Sequence, residues 1–327
     1  RRSRALHLLG EISDMKGDLD GALNRFTLAA ESTELLMNAD PKNPQRIFDH
    51  AQSAFWVGMV DYQRGRYVHA RQAFGQYLEL AKRLYAIDPR EPRWIREVFY
   101  GYQALGGLAV EQRDWLQAET DLLNALEVLD TVVTRDASYL DDISSVHSWL
   151  ASTYTKQKKF ELARAHTYKE IVALAEQLAL DPGHFEARRQ LVVAHRGMAE
   201  LALIENRIEE ALNLLKSQVS TVEELVSHEP DDTQVQEQRI MLAQDIAELK
   251  YLQGDYDSAK ELAQNCHEQA EEMLQRDDSV VYWKVELDWR CRYQLAKAWQ
   301  RQGNADAAFA EVKTYYDLLK LEYRDSE

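Results

Sequence analysis

Cysteine is nearly missing from this chain. Its 327 residues include two, Cys266 and Cys291, too few for a disulfide framework and not arranged as the C-x-x-C pair of a metal or redox site. Both are expected as buried thiols. Proline (6) and glycine (13) are also scarce, which excludes collagen-like and low-complexity architectures and leaves long stretches without helix breakers. No apolar run approaches the roughly 18 to 20 residues of a membrane span, and the opening Arg1-Arg2-Ser3-Arg4 lacks the apolar stretch of a secretory leader. The expected location is therefore the cytoplasm. Positive charge is in deficit: the formal net charge of −16 weighs against nonspecific binding to nucleic acid or anionic lipid, which needs clustered Lys and Arg to displace counterions. A large partner is expected to be neutral or basic.

The usual catalytic constellations are missing as well. The chain contains no H-E-x-x-H, G-x-x-x-x-G-K-[ST], G-x-S-x-G or G-x-G-x-x-G, and none of its 9 histidines has another three or four residues away. His7, His147 and His195 recur near one helical position but lie several repeats apart, which does not match the spacing of metal ligands. The acidic pairs Glu209-Glu210, Glu223-Glu224, Asp231-Asp232 and Glu271-Glu272 point about 100° apart on a helix, so they read as solvated surface rather than a converging acid/base pair. The expectation is a protein without catalysis, metal or cofactor.

What the chain has in abundance is period. A residue followed three positions later by Ala recurs as Leu19/Ala22, Tyr67/Ala70, Trp115/Ala118, Phe160/Ala163, Ile208/Ala211, Tyr256/Ala259 and Ala305/Ala308, with the alanines spaced 48, 48, 45, 48, 48 and 49 residues apart. An acidic series, Asp40-Pro41, Asp88-Pro89, Asp136, Asp181-Pro182, Glu229-Pro230 and Asp277-Asp278, keeps the spacings 48, 48, 45, 48 and 48. A third series, 12 residues before each Ala, is always small: Gly10, Gly58, Gly106, Ala151, Ala199, Ala247 and Ala296. Self-similarity of this kind marks a repeat architecture. Within each unit, apolar positions three and four apart over about 20 residues predict two helices. Gly17, Gly65, Gly254 and Gly303 mark the turn between them as helix C-cap glycines, and all six prolines fall after a second helix, close to the next helix start. The small series is expected where two helices cross closely, with Gly58 and Ala259 as structural positions.

The order of large-small in the first helix, a turn such as Gly254-Asp255-Tyr256, then Ala, then Asp-Pro resembles the tetratricopeptide repeat (TPR) family over nearly the whole chain. The departure is length, because the usual unit has about 34 residues and this one has 48. The resemblance implies an all-α, right-handed superhelical solenoid of about seven antiparallel helical hairpins. The units fall at 1–40, 41–88, 89–136, 137–181, 182–229, 230–277 and 278–327, one array over 1–327. A three-residue deletion is expected in the first helix of the fourth unit or the turn before it. The chain does not begin with Met and its first unit is short, so it is expected to be part of a longer protein.

Function must then come from a surface. First helices of such a solenoid line its concave face, and counting 15, 11 and 8 residues before each Ala places Phe55, Met59, Tyr62, Gln103, Ser148, Ser152, Arg196, Glu200, Gln244, Glu248, Tyr251, Tyr293 and Lys297 there. That mixture of aromatic and polar groups suits an extended peptide or a partner helix. The bland alternative for Phe55, Met59 and Tyr62 is packing against neighbours, as it is for the scattered tryptophans. The leading expectation is a non-catalytic protein-interaction module. The alternative is the ligand- or peptide-sensing region of a larger signalling protein, a Ser/Thr kinase or winged-helix regulator with its effector domain upstream. Self-association through terminal hairpins is a further expectation.

Overall fold

Helix ends show how the sequence punctuates this fold. In the computed structural model, which describes residues 2–132, 136–277, 280 and 282–324, Asn43 caps the helix that begins at Pro44: its side-chain oxygen accepts from Gln45 N at 3.1 Å and Arg46 N at 3.4 Å. That helix ends in a left-handed turn at Gly65, φ +68°, where Gly65 N donates to Tyr62 O and Arg66 N to Asp61 O, the paired closure that consumes otherwise orphaned carbonyls. Gly17, Gly254 and Gly303 do the same, but Arg113, Lys158 and Asn206 hold the equivalent left-handed conformation without being glycine. Arg1 and Asp278 lie outside the described residues.

The result is an all-α series of consecutive antiparallel hairpins. They are α1 (Arg2–Met15) with α2 (Leu19–Ala39), α3 (Pro44–Gln63) with α4 (Tyr67–Ile87), α5 (Pro92–Glu111) with α6 (Trp115–Leu129), and α7 (Ala137–Lys156) with α8 (Phe160–Leu180). Next come α9 (Phe185–Ile204) with α10 (Ile208–Lys216) and α11 (Val219–His228), then α12 (Thr233–Leu252) with α13 (Tyr256–Arg276). The last is α14 (Trp289–Arg301) with α15 (Ala305–Arg324), α14 being preceded by a π-helical turn over Trp283–Asp288. The chain divides into two compact units, residues 1–173 and 174–327.

Three departures from a uniform repeat have local causes. The deletion falls before α7, which is full length at 20 residues, whereas α6 stops after 15. Asp136, expected as a post-helical acid, instead caps α7 by accepting from Tyr139 N at 2.9 Å. The second helix of the fifth hairpin is broken in two: Ser217 Oγ donates back to Leu214 O at 2.7 Å, and Gln218 N closes on Leu215 O three residues earlier, a tightening that bends helices. The π-helical turn accounts for the single 49-residue spacing. A π-turn accommodates one extra residue inside a helix, so the faces of α14 stay in phase with those of α12.

In the first unit, the expected small positions do sit at close crossings. A Cβ on Gly58 would lie 2.7 Å from the Phe74 ring, and one on Gly106 would lie 2.8 Å from Leu122. Both contacts join the two helices of one hairpin. Successive hairpins are also stitched by buried polar groups: Thr33 Oγ1 lies 3.2 Å from His50 Nδ1, and Tyr77 donates to Glu97 at 2.7 Å while Gln52 donates to the same carboxylate at 2.6 Å. Burial raises the Glu97 pKa above the usual carboxylate range, against the bonds from Tyr77 and Gln52. Arg96, in the first turns of α5, pairs with Asp142 at 3.4 Å and Asp136 at 3.1 Å. In the second unit, Val192, Ala211, Leu212, Val222 and Leu242 share one core cluster, and Ile240, Met273, Trp283 and Leu287 another.

Cys266 and Cys291 correct the sequence reading. They are joined as a disulfide between α13 and α14, with both residues fully buried, rather than lying as separate thiols. Among the described residues no helix is long and apolar enough to cross a membrane, and no group of three or more His, Cys, Asp or Glu is placed to hold a metal ion.

Candidate functional site

The thirteen surface residues singled out by counting separate into two kinds. Those of the first unit are absorbed into packing. Phe55 lies 5.1 Å from Tyr77 and 5.8 Å from Phe74, ring to ring. Met59 and Tyr62 pack on the Ala70–Phe74–Leu108 cluster, and burial together with the Glu111 carboxylate raises the Tyr62 pKa. Gln103 donates to Ser145 at 2.9 Å, linking α5 to α7. Ser148 hydrogen-bonds Glu170, whose pKa burial pushes up to about 7. Ser152 alone of these is exposed.

In the second unit the counted residues come together. Arg196, Glu200, Gln244 and Glu248 line a cleft of about 570 Å³ with Val193 and Gly197 of α9, Met241 and Asp245 of α12, and Arg290 and Gln294 of α14. Leu203, Leu215 and Leu249 supply apolar lining. On α9 and α12 the lining falls 18, 15, 14 and 11 residues before the repeat Ala, spaced i, i+3, i+4, i+7, which is one face of an α-helix, and α14 contributes the 18 and 14 positions of the same stripe. Counting had picked two of those four positions. It missed Asp245, Arg290 and Gln294, although the same 48- and 49-residue beat relates Val193 to Met241 to Arg290 and Gly197 to Asp245 to Gln294.

Most charge in the cleft is already balanced. Arg196 pairs with Asp245 at 2.6 Å and also approaches Met241 Sδ at 3.7 Å. Glu248 pairs with Lys297 at 2.6 Å and accepts a short bond from Gln294. Lys297 lies over two tyrosine rings, 4.7 Å from the centroid of Tyr251 and 5.1 Å from that of Tyr293, and Arg301 donates to the Tyr251 hydroxyl at 2.9 Å. Thus Glu248, Tyr251, Tyr293 and Lys297 form one cation–π assembly beside the cleft. Glu200 and Arg290 are different. Both are exposed, and neither has an ion-pair or hydrogen-bond partner among the described residues.

Gln244 corrects the expectation of an exposed groove residue. It is 2 % exposed, and its Nε2 donates to Leu287 O at 2.7 Å and Glu286 O at 3.3 Å, carbonyls of the π-helical turn. The extra residue of the last repeat is therefore fastened directly to the cleft wall. The side-chain oxygens of Gln244 and Gln294 are buried without a hydrogen-bond donor among the described residues, a state that costs roughly 1 to 3 kcal/mol for each group if nothing fills it.

No protein-family model matches the sequence, and no curated protein matches it. Solved structures do share its fold. RapI in its apo form matches 99% of this chain and 100% of its own at 14% identity, with a TM-score of 0.59. BtubC (BKLC) from P. vanneervenii matches 79% of this chain and 92% of its own at 15% identity and a TM-score of 0.57. Aspartyl phosphate phosphatase F from Bacillus subtilis matches 86% and 73% at 12% identity and a TM-score of 0.57. The fold shared with such proteins is TPR-like.

Proposed function

We propose that this chain is a non-catalytic interaction module that binds an extended segment of a partner protein in the cleft on α9, α12 and α14. The observation that carries the reading is the cleft itself. It repeats one helical stripe in full on α9 and α12 and in half on α14, and its volume of about 570 Å³ falls within the range of roughly 300 to 1,000 Å³ typical of ligand sites. Its mixture of apolar lining, spare polar acceptors and exposed charge suits a peptide chain, which carries N–H groups at every residue as well as side chains of either sign. The TPR-like fold supports a scaffold role by analogy of architecture. The absence of a catalytic motif in the sequence accords with binding rather than turnover.

Gly197 provides the test. It lines the cleft, and a Cβ built on it meets nothing within 4 Å, so Gly197→Trp should fill the cleft without disturbing the core. Affinity capture from an extract of the source cells, followed by mass spectrometry, is compared between wild type and Gly197→Trp, with matched circular dichroism spectra as the folding control. A protein retained by wild type and lost by the variant supports the reading. Equal retention by both would remove the cleft from the function.

A further inference from the structure

Resting on the interaction reading above, we infer that the occupant of the cleft is a dipolar peptide segment. Its basic side chain meets Glu200 at the α9 wall, and its acidic side chain meets Arg290 at the α14 wall. Three observations carry this. First, the other charged lining residues cancel internally, Arg196 with Asp245 and Glu248 with Lys297, which leaves, among the described residues, one carboxylate and one guanidinium without an ion pair on opposite helices. An approaching chain is therefore steered by these two charges, and a like charge at either wall is repelled.

Second, the space between the two walls is furnished for a main chain. Gln244 is buried, lines the cleft, and keeps a buried oxygen with no donor among the described residues; Gln294 presents a second. Amide oxygens accept from N–H groups and repel carbonyls, so an occupant that reaches them is one that offers donors, as a peptide backbone does. The Gln244 amide cannot turn away to find another partner, because its Nε2 is held by the two carbonyls of the π-helical turn. The one-residue insertion thus fixes the orientation of the acceptor.

Third, the geometry sets a spacing. Neighbouring packed helices lie about 8 to 10 Å apart, so α9 and α14, on either side of α12, are separated by roughly 18 Å. Arg290 occupies the level of Val193 in the repeat, seven residues before Glu200, which adds about 10 Å along the helix axis. The diagonal is about 21 Å, and an extended chain rising about 3.3 Å per residue covers it in about six residues. The basic and acidic side chains of the occupant are thus about six positions apart.

Selection of a phage-displayed library of random 12-residue peptides against the full chain tests this, run in parallel on wild type and on Glu200→Arg, which makes both walls positive. The expected result is enrichment on wild type of one basic and one acidic residue about six apart, and of two acidic residues at that spacing on Glu200→Arg. Individual wild-type-selected peptides should bind Glu200→Arg at least tenfold more weakly by fluorescence polarisation. Enriched peptides without the charge pair, or the same peptides on both proteins, would overturn the dipolar inference and leave the interaction reading intact. If wild type enriches nothing, both fall. Glu200→Gln and Arg290→Gln, which remove the charges with little change of shape, repeat the test should Glu200→Arg fail its circular dichroism control; unchanged affinity in both would count against the inference.

Discussion

Replacing Gly58 with Leu should break the hairpin of α3 and α4, and the structure says by how much and how it can be rescued. An added Cβ would sit 2.7 Å from Phe74 Cδ1 and Cε1 and 3.2 Å from Ala73 Cβ. Phe74 is 2% exposed and packs against the Phe55 ring at 5.8 Å, so it has no free volume into which to move. Overpacking of this kind costs about 1 to 3 kcal/mol. Removing a glycine from a helix interior returns somewhat under 1 kcal/mol, which leaves about 2 kcal/mol of net destabilisation at the upper end. Phe74→Ala alone should cost about 3 to 5 kcal/mol through the cavity it leaves. Because the leucine would enter that cavity, the double variant should be more stable than the sum of the single effects by about 2 kcal/mol. Urea unfolding followed at 222 nm measures all four corners of the cycle, provided the slopes with denaturant agree. Additivity within about 0.5 kcal/mol would mean that Gly58 and Phe74 do not compete for one space, and the packing argument for the small-residue series would fail.

Other expectations are independent of that cycle. The disulfide closes a loop of 25 residues, for which the chain-entropy relation gives about 3.5 kcal/mol at 25 °C; Cys266→Ala, Cys291→Ala should lower the unfolding midpoint accordingly, and thiol titration of the denatured wild type without reductant should find none. Arg113→Gly and Lys158→Gly should each stabilise by about 1 kcal/mol, since both residues hold a left-handed φ near +57 to +59° that disfavours a Cβ. Asn206→Gly at φ +59° should gain less, because asparagine tolerates that region; thermal melts rank the three, and equal gains would refute the reasoning. Burial, then His166 and Lys169, hold the His147 pKa down to about 3, and burial and Lys169 hold that of His166 down to about 4. Their stabilising contribution is complete above the unfolded value near 6.5 and is lost progressively as pH falls from there through the folded values of about 4 and about 3. A His147→Gln, His166→Gln variant should therefore lose less melting temperature than wild type between pH 7 and pH 4.

Much of the fold was legible because its determinants are local. Pro44, Asn43 and Gly65 fix helix ends within a few residues of themselves, and the alanine and small-residue series report crossings that recur at one distance along the chain. The π-helical turn and the break at Ser217 were not legible as structures. The first appears in the sequence only as a spacing of 49, which tells of an extra residue without saying where it sits. The second depends on a serine hydroxyl choosing a backbone carbonyl over solvent. The disulfide escaped because a separation of 25 residues says nothing about Cα proximity until α13 and α14 are packed. At the surface, counting located Arg196, Glu200 and Glu248 at the cleft, but a fixed offset cannot distinguish a lining side chain such as Glu200 from one consumed by its neighbours such as Phe55. It also passed over Arg290, which lines the cleft without an ion pair among the described residues, a property of the packed molecule.

The way this chain absorbs length changes bears on how its cleft can be altered. One repeat has lost three residues and another has gained one, yet each change is confined to the end of a single helix or one of its turns, and the hairpins on either side keep their register. Residue-count errors therefore do not propagate. A designer can add or remove a residue near the start of α12 or α14 and move a chosen pair of cleft side chains by a fraction of a turn, while the remaining hairpins serve as an unchanged frame.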